Sequence, residues 1–234
     1  MQRVLLTLGD SWPEGKELKK ELGQVPYGVL LKNQLGFDQL YNYGSPGASN
    51  EDMLFQLQDY LKHRWNKTDH TVAVFHLTNP ARTTYFPRFA SLDVNLKERE
   101  HWPTDATRLI QDFALHFHTD HHELMRSSTT VTALQMWCQM HGIDDYYFSG
   151  WIKYPEWLPG VNTEKIWQAG KETAADWFGV GDSWITAKKS SYLFRKLLLG
   201  KTDNIYIHPN VAHPNQLGHQ LIADKLATWI STKQ

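Results

Sequence analysis

The tetrapeptide Gly9-Asp10-Ser11-Trp12 follows directly on an apolar run, Val4 to Leu8, and so places a serine on the turn after a strand. A serine hydroxyl becomes a useful nucleophile only when a neighbouring base removes its proton, and an imidazole is the side chain best suited to that near neutral pH. One such ring is offered near the C-terminus by Asn210-Val211-Ala212-His213-Pro214-Asn215. Between them stand Asn42-Tyr43-Gly44-Ser45-Pro46-Gly47-Ala48-Ser49, a glycine-rich turn opening a helix, and Leu77-Thr78-Asn79. Glycine lets the backbone N–H approach a ligand oxygen, and an asparagine amide donates to the same kind of atom. The chemistry these types allow is nucleophilic attack on a carbonyl with stabilisation of the oxyanion that results. Taken alone, Gly9-Asp10-Ser11-Trp12 is equally a tight turn in which Asp10 or Ser11 caps a helix.

Each of these segments lies just beyond a strand, and the elements that position them alternate between strand-length apolar runs and helix-period segments. Strands are expected at Val4–Leu8, Gln39–Tyr43, Thr71–Leu77, Tyr146–Ser149 and Asn204–Ile207. The pattern 18–35 reads as helical up to Gly36. A second helix is expected from Ser49 as N-cap, with Glu51 and Asp52 in its first turn and Leu54, Leu57, Leu61 and Trp65 as its apolar stripe. Helical spacing covers 104–141, closed by Gly142, and returns over Thr163–Trp177, near Ser190–Leu199, and in a last amphipathic helix carrying Leu217 to Ile230. Two aromatic-rich stretches, 80–103 and 151–200, read as irregular excursions. Such alternation predicts an α/β fold with a parallel sheet, whose strand ends all point one way, so that Ser11, Gly47, Asn79 and His213 converge.

In these four blocks, in order and over essentially its whole length, the chain resembles the SGNH (GDSL-type) hydrolase family, named for a Ser, a Gly, an Asn and a His. The resemblance implies a three-layer α/β/α, flavodoxin-like fold with five parallel strands, a single domain over 1–234, and cleavage of a small acyl ester through an acyl-serine intermediate. Position by position, Ser11 resembles the nucleophile and His213 the general base. The N–H of Ser11, the N–H of Gly47 and the amide of Asn79 resemble the oxyanion hole. Gly44 competes with Gly47 for the second role, and Gly47 is preferred because it lies next to the capped helix.

The chain departs from the family pattern twice. The usual Gly-x-Asn-Asp block is here Leu77-Thr78-Asn79-Pro80, and the Asp expected three residues before the His is Asn210. An amide oxygen can hold the His213 ring by its Nδ1 proton but supplies no negative charge. Three readings stay open: Asn210 is a weaker orienter, an acid such as Asp203 reaches in, or activity is attenuated.

Other residue groups have plainer readings. Gly181-Asp182-Ser183-Trp184 repeats the first tetrapeptide, but the segment before it reads as a helix end and turn, which makes Ser183 a loop serine or a cap. His208 reads as structural or pocket-lining. In the cluster His116, His118, His121 and His122, His118 and His122 are four apart and could face one metal if the segment is helical, with Asp120 nearby, but a solvated helix face is the preferred reading. Cys138 reads as core.

The chain has 234 residues and 24 Lys plus Arg against 25 Asp plus Glu, a net charge of −1. That balance gives no reason to expect nucleic acid or an anionic membrane as the partner. One cysteine permits no internal disulfide, and no stretch has the features of a signal peptide or membrane span, so the expectation is a soluble protein, cytoplasmic at synthesis. No metal or organic cofactor is implied. The expected substrate is a small-molecule or carbohydrate ester, an O-acetyl sugar being one candidate, with the Trp-rich excursions either framing a sugar or forming a small core of their own. The alternatives are a module of the same fold that binds a glycan or peptide without turnover, and an O-acyltransferase.

Overall fold

The computed structural model describes residues 1–16, 18–80, 82–83, 92–93, 119–150, 152–154, 156–178 and 213–233. In chain order the elements are β1 (Arg3–Leu8), α1 (Ser11–Glu14), α2 (Tyr27–Leu35), β2 (Gln39–Asn42), α3 (Asp52–His63), β3 (His70–Leu77), β4 (Arg82–Thr83), β5 (Leu92–Asp93), α4 (Asp120–His141), β6 (Asp144–Ser149), α5 (Ala174–Trp177) and α6 (Gln216–Ser231). The main sheet runs β2-β1-β3-β6 with every pair parallel. Thr7 lies opposite Asn42, Leu8 opposite Phe75, and Leu77 opposite Ser149, so the carboxyl ends of all four strands form one edge.

The sheet's described strands number four against the five expected, and the fifth, at Asn204–Ile207, lies outside the described residues. β1 and β3 occupy the centre and are buried almost throughout, as their near-continuous apolar runs require. Successive strand residues serve different apolar clusters. Val4, Leu6 and Leu8 join Ala73, Phe75 and Leu77 in packing on Met53, Leu57 and Tyr60 of α3 and Val131, Leu134 and Cys138 of α4. Leu5, Val72, Val74 and Phe148 pack instead on Tyr27 and Leu31 of α2 and Ile222, Leu226 and Ile230 of α6. Cys138 is fully buried, and that burial pushes its thiol well above the ordinary value. Among the described residues, no helix is long and apolar enough to cross a membrane.

Some expected elements have different bounds. The pattern over 18–35 divides at Gly23 and Pro26 into a short 3-10 turn, Lys20–Leu22, and α2. Ser49 does begin a cap, although α3 starts at Asp52: Ser49 Oγ accepts from Asp52 N at 3.3 Å while Asp52 Oδ2 accepts from Ser49 N at 2.7 Å. Within 80–103 the described residues form the antiparallel pair β4–β5. Of the helical pattern over 104–141, α4 covers 120–141, capped by Thr119 and ended by Gly142 in the left-handed region, and the earlier part lies outside the described residues.

The single helix expected over Thr163–Trp177 is replaced by 3-10 turns at Thr163–Lys165 and Trp167–Gly170 and the short α5. Tertiary bonds override its local propensity. Ile166 bridges to Tyr147 at the sheet edge, Tyr154 N donates to Gly170 O, and Trp157 Nε1 donates to Ala169 O at 2.9 Å. Gln168 and Ala169 accept positive φ angles of 46° and 53° to make those bonds. Of the five tryptophans between 151 and 184, those at 157, 167 and 177 contribute to packing: Trp157 stacks on Tyr154, and Trp167 meets Trp177 and Trp229 edge to face. Trp151, Trp184, Ser183 and the segment near Ser190–Leu199 lie outside the described residues.

Candidate functional site

Three loops and one helix start meet at the carboxyl edge of the sheet. The chain leaves β1 through Gly9, whose φ of 136° is open to glycine, and a Cβ there would stand 2.8 Å from His76 O. Gln56 of α3 holds this glycine from both sides, accepting from Gly9 N and donating to Gly9 O, each at 2.9 Å. Asp10 then caps α1 through Oδ1, which accepts from Trp12 N at 3.0 Å, and Ser11 occupies the first helical position. Both readings of the tetrapeptide are therefore compatible: Asp10 is a cap, and Ser11 is presented by the turn that cap fixes.

Ser11 is buried, and its Oγ lies 2.9 Å from Nε2 of the partly exposed His213. His213 stands two residues ahead of Asn215, whose side chain caps α6 by accepting from Gly218 N at 3.1 Å. The first turns of α6 are tied to α2: Val25 N donates to Gln216 Oε1 at 2.8 Å, Tyr27 N to His219 Nδ1 at 3.2 Å, and Gln34 Nε2 to Asp224 Oδ1 at 2.6 Å. Buried His219 is thus the acceptor in its bond, with its ring stacked on Tyr27. Burial, reinforced by the negative charge of Asp10, pushes the Tyr27 phenol well above its ordinary value.

After β2, Gly44 packs where no side chain fits, since a Cβ would fall 2.4 Å from Glu14 N and 2.7 Å from Pro13 Cβ. Its N–H is directed to Asn42 Oδ1 at 3.0 Å. Gly47 follows with φ 77°, immediately before the Ser49 cap. Asn79, after β3, is partly exposed on a loop held from below by buried Asn50: Asn50 Oδ1 accepts from Thr78 N at 2.8 Å, and Asn50 Nδ2 donates to Tyr154 Oη at 2.9 Å. Tyr154 Oη in turn donates to Thr78 O. Arg126 of α4 pairs with Glu51 and reaches Pro80 O at 3.5 Å, joining the segments that follow Gly47 and Asn79.

Asn50, Tyr154 and His76 are the contributors that sequence reading missed. His76 carried a signal, being the one ionisable residue in the apolar stretch Val72–Leu77. Asn210, Asp203 and His208 lie outside the described residues, as do His116 and His118 of the histidine cluster. Among the described residues, no group of three or more His, Cys, Asp or Glu is arranged to hold a metal ion.

Chemically, a hydroxyl in hydrogen-bond contact with an imidazole can form and break an acyl bond. No protein-family model and no curated protein matches the sequence. Among solved structures the chain is similar to the psychrotrophic esterase EstA from Pseudoalteromonas sp., at 16% identity and TM-score 0.46 over 98% of this chain and 97% of that one. It is similar also to a member of the lipolytic protein G-D-S-L family from Veillonella parvula, at 14% identity and TM-score 0.42 over 97% of each chain. A third is the acetylxylan esterase Axe2 from Geobacillus stearothermophilus, at 14% identity and TM-score 0.41 over 98% of this chain and 94% of that one.

Proposed function

We propose that this chain is an SGNH-type serine esterase, and the observation that carries the reading is the 2.9 Å contact between Ser11 Oγ and His213 Nε2. In this reading His213 takes the hydroxyl proton as Ser11 attacks the ester carbonyl, and returns it to the departing alcohol. The tetrahedral oxyanion is held by the N–H groups of Ser11 and Gly47 and by the Asn79 amide; the engagement of Gly44 N with Asn42 favours Gly47 for this role. Water activated by the same imidazole then releases the acyl group. In the same reading Asn210 serves as the orienting residue of His213, the chain is a single three-layer α/β/α domain over 1–234, and no cofactor takes part.

Next to the Asn79 loop, at Pro80, lies a cavity of about 490 Å³ whose lining is mixed, with Leu124, Ile152 and Tyr154 beside His121, Glu123 and Lys153. The substrate class we propose is a short acyl ester of a small or carbohydrate alcohol.

The test is turnover of nitrophenyl acetate and nitrophenyl octanoate by wild type, Ser11→Ala and His213→Ala. Turnover of the acetate in preference to the octanoate, with a loss of about 10³-fold or more in either variant, is expected. Absence of turnover by wild type would favour the non-catalytic binding module, and faster release to an added sugar than to water would favour the acyltransferase.

A further inference from the structure

We propose that the buried Asp10–His76 pair is a positioning device that holds the Ser11 turn in register with the Asn79 loop. The inference rests on the hydrolase reading above. Asp10 and His76 are 4% and 2% exposed, and His76 Nδ1 donates to Asp10 Oδ1 at 3.0 Å. The same oxygen accepts from Trp12 N at 3.0 Å, and Oδ2 accepts from Thr78 Oγ1 at 3.3 Å. One carboxylate therefore touches the turn that presents Ser11, the strand that leads to Asn79, and the residue just before Asn79.

A carboxylate this deep in the protein is costly unless donors surround it, and its position follows theirs. Among these donors, His76 is a side chain whose position is set by packing. Its ring is stacked on Trp12 at 4.9 Å between centroids and 14° between planes, and it meets Phe148 at 5.0 Å. Its far edge rests on Gly150, where a Cβ would come within 2.5 Å of Nε2. That nitrogen is buried and has no hydrogen-bond partner among the described residues. The ring is thus placed by packing on both faces and one edge, and its one polar contact among the described residues is to the residue preceding Ser11. If the contact is lost, the Asp10 cap and the hydroxyl next to it can shift, and displacements near 1 Å in a reacting group cost about 10²-fold in rate.

His76 touches no substrate in this scheme, so the test must separate positioning from folding. His76→Phe keeps a ring between Trp12 and Phe148 but removes the donor, while His76→Asn restores a donor near Nδ1 with less packing. The rate of Ser11 phosphonylation by a fluorophosphonate, together with kcat and KM for nitrophenyl acetate, is measured on folded protein verified by near-ultraviolet circular dichroism. We expect His76→Phe to lose about 10- to 100-fold in kcat and in phosphonylation rate with KM within twofold, and His76→Asn to recover most of that loss. Wild-type rates in folded His76→Phe, or equal losses in both variants, overturn the proposal. If His76→Phe does not fold, Gly150→Ala, which displaces the ring and deletes no polar group, must lower kcat with KM unchanged, and an unchanged kcat overturns the proposal. A wild-type protein that takes no phosphonate at Ser11 sinks the hydrolase reading itself, a different result from a labelled wild type matched by its variants.

Discussion

Ser11 Oγ and His213 Nε2 stand 2.9 Å apart although 202 positions separate them in the chain. Neither residue holds itself there. Ser11 is fixed by Asp10 and Gln56, while the start of α6 is fixed against α2 by Gln216, His219 and Asp224. The site is consequently a property of the whole parallel sheet, and the substitutions that test it lie on several loops.

The residue three before His213 gives the first prediction. An asparagine there can accept the Nδ1 proton but leaves the imidazolium formed during reaction without a facing negative charge. In trypsin-type enzymes the Asp-to-Asn change costs about 10⁴ in turnover. Asn210→Asp is expected to raise kcat for nitrophenyl acetate by about tenfold or more, with KM little changed. A kcat that is equal or lower would mean that another acid already serves the ring.

Two glycines separate steric from conformational cost. At Gly44 a Cβ would meet backbone and a proline ring at 2.4 to 2.9 Å, so Gly44→Ala forces α1 away from the turn after β2. We expect a loss of about 2 kcal/mol or more in urea unfolding, and lower esterase activity with it. Gly23 is left-handed at φ 72° but faces open space, so Gly23→Ala should cost only about 1 kcal/mol of backbone strain and leave turnover unaffected. Equal losses at both positions would contradict this assignment.

Asp145, in β6, supplies a pH test remote from the site. Burial raises its carboxyl from the ordinary value of 3.8, and the Lys165 ammonium 3.6 Å away lowers it less than burial raises it. Because the folded state binds this proton more tightly than the unfolded state, its favourable contribution is complete below the unfolded value and is lost as pH rises through the folded one. Asp145→Asn should therefore gain stability relative to wild type at pH 7, and that advantage should shrink as the pH is lowered toward 3.8. Chemical denaturation at a series of pH values reads the difference, and a gap that widens in acid would reverse the sign of the argument.

The strands were legible because β1 and β3 are central and buried, which makes them short apolar runs, and the start of β6 was missed by two residues because Asp144 and Asp145 interrupt its pattern. The convergence of Ser11 and His213 was legible for a related reason: parallel strands send their following loops to one edge, whatever their separation in sequence. The side-chain struts were not. Asn50 to Thr78 and Asp10 to His76 are polar contacts between residues 28 and 66 positions apart, and no local periodicity encodes such a pair. The 163–177 segment misled for the converse reason. Its helical spacing is real, but the bridge from Ile166 to Tyr147 and the bonds to Ala169 and Gly170 give its backbone other partners.

The central claim, that the Ser11 hydroxyl is made reactive by His213, is tested most directly by treating the protein with a fluorophosphonate and mapping the adduct by peptide mass spectrometry. The account predicts one adduct, on Ser11, formed by wild type and by Ser183→Ala and absent from Ser11→Ala and His213→Ala. An adduct on Ser183, or labelling of Ser11 that persists without His213, would contradict it.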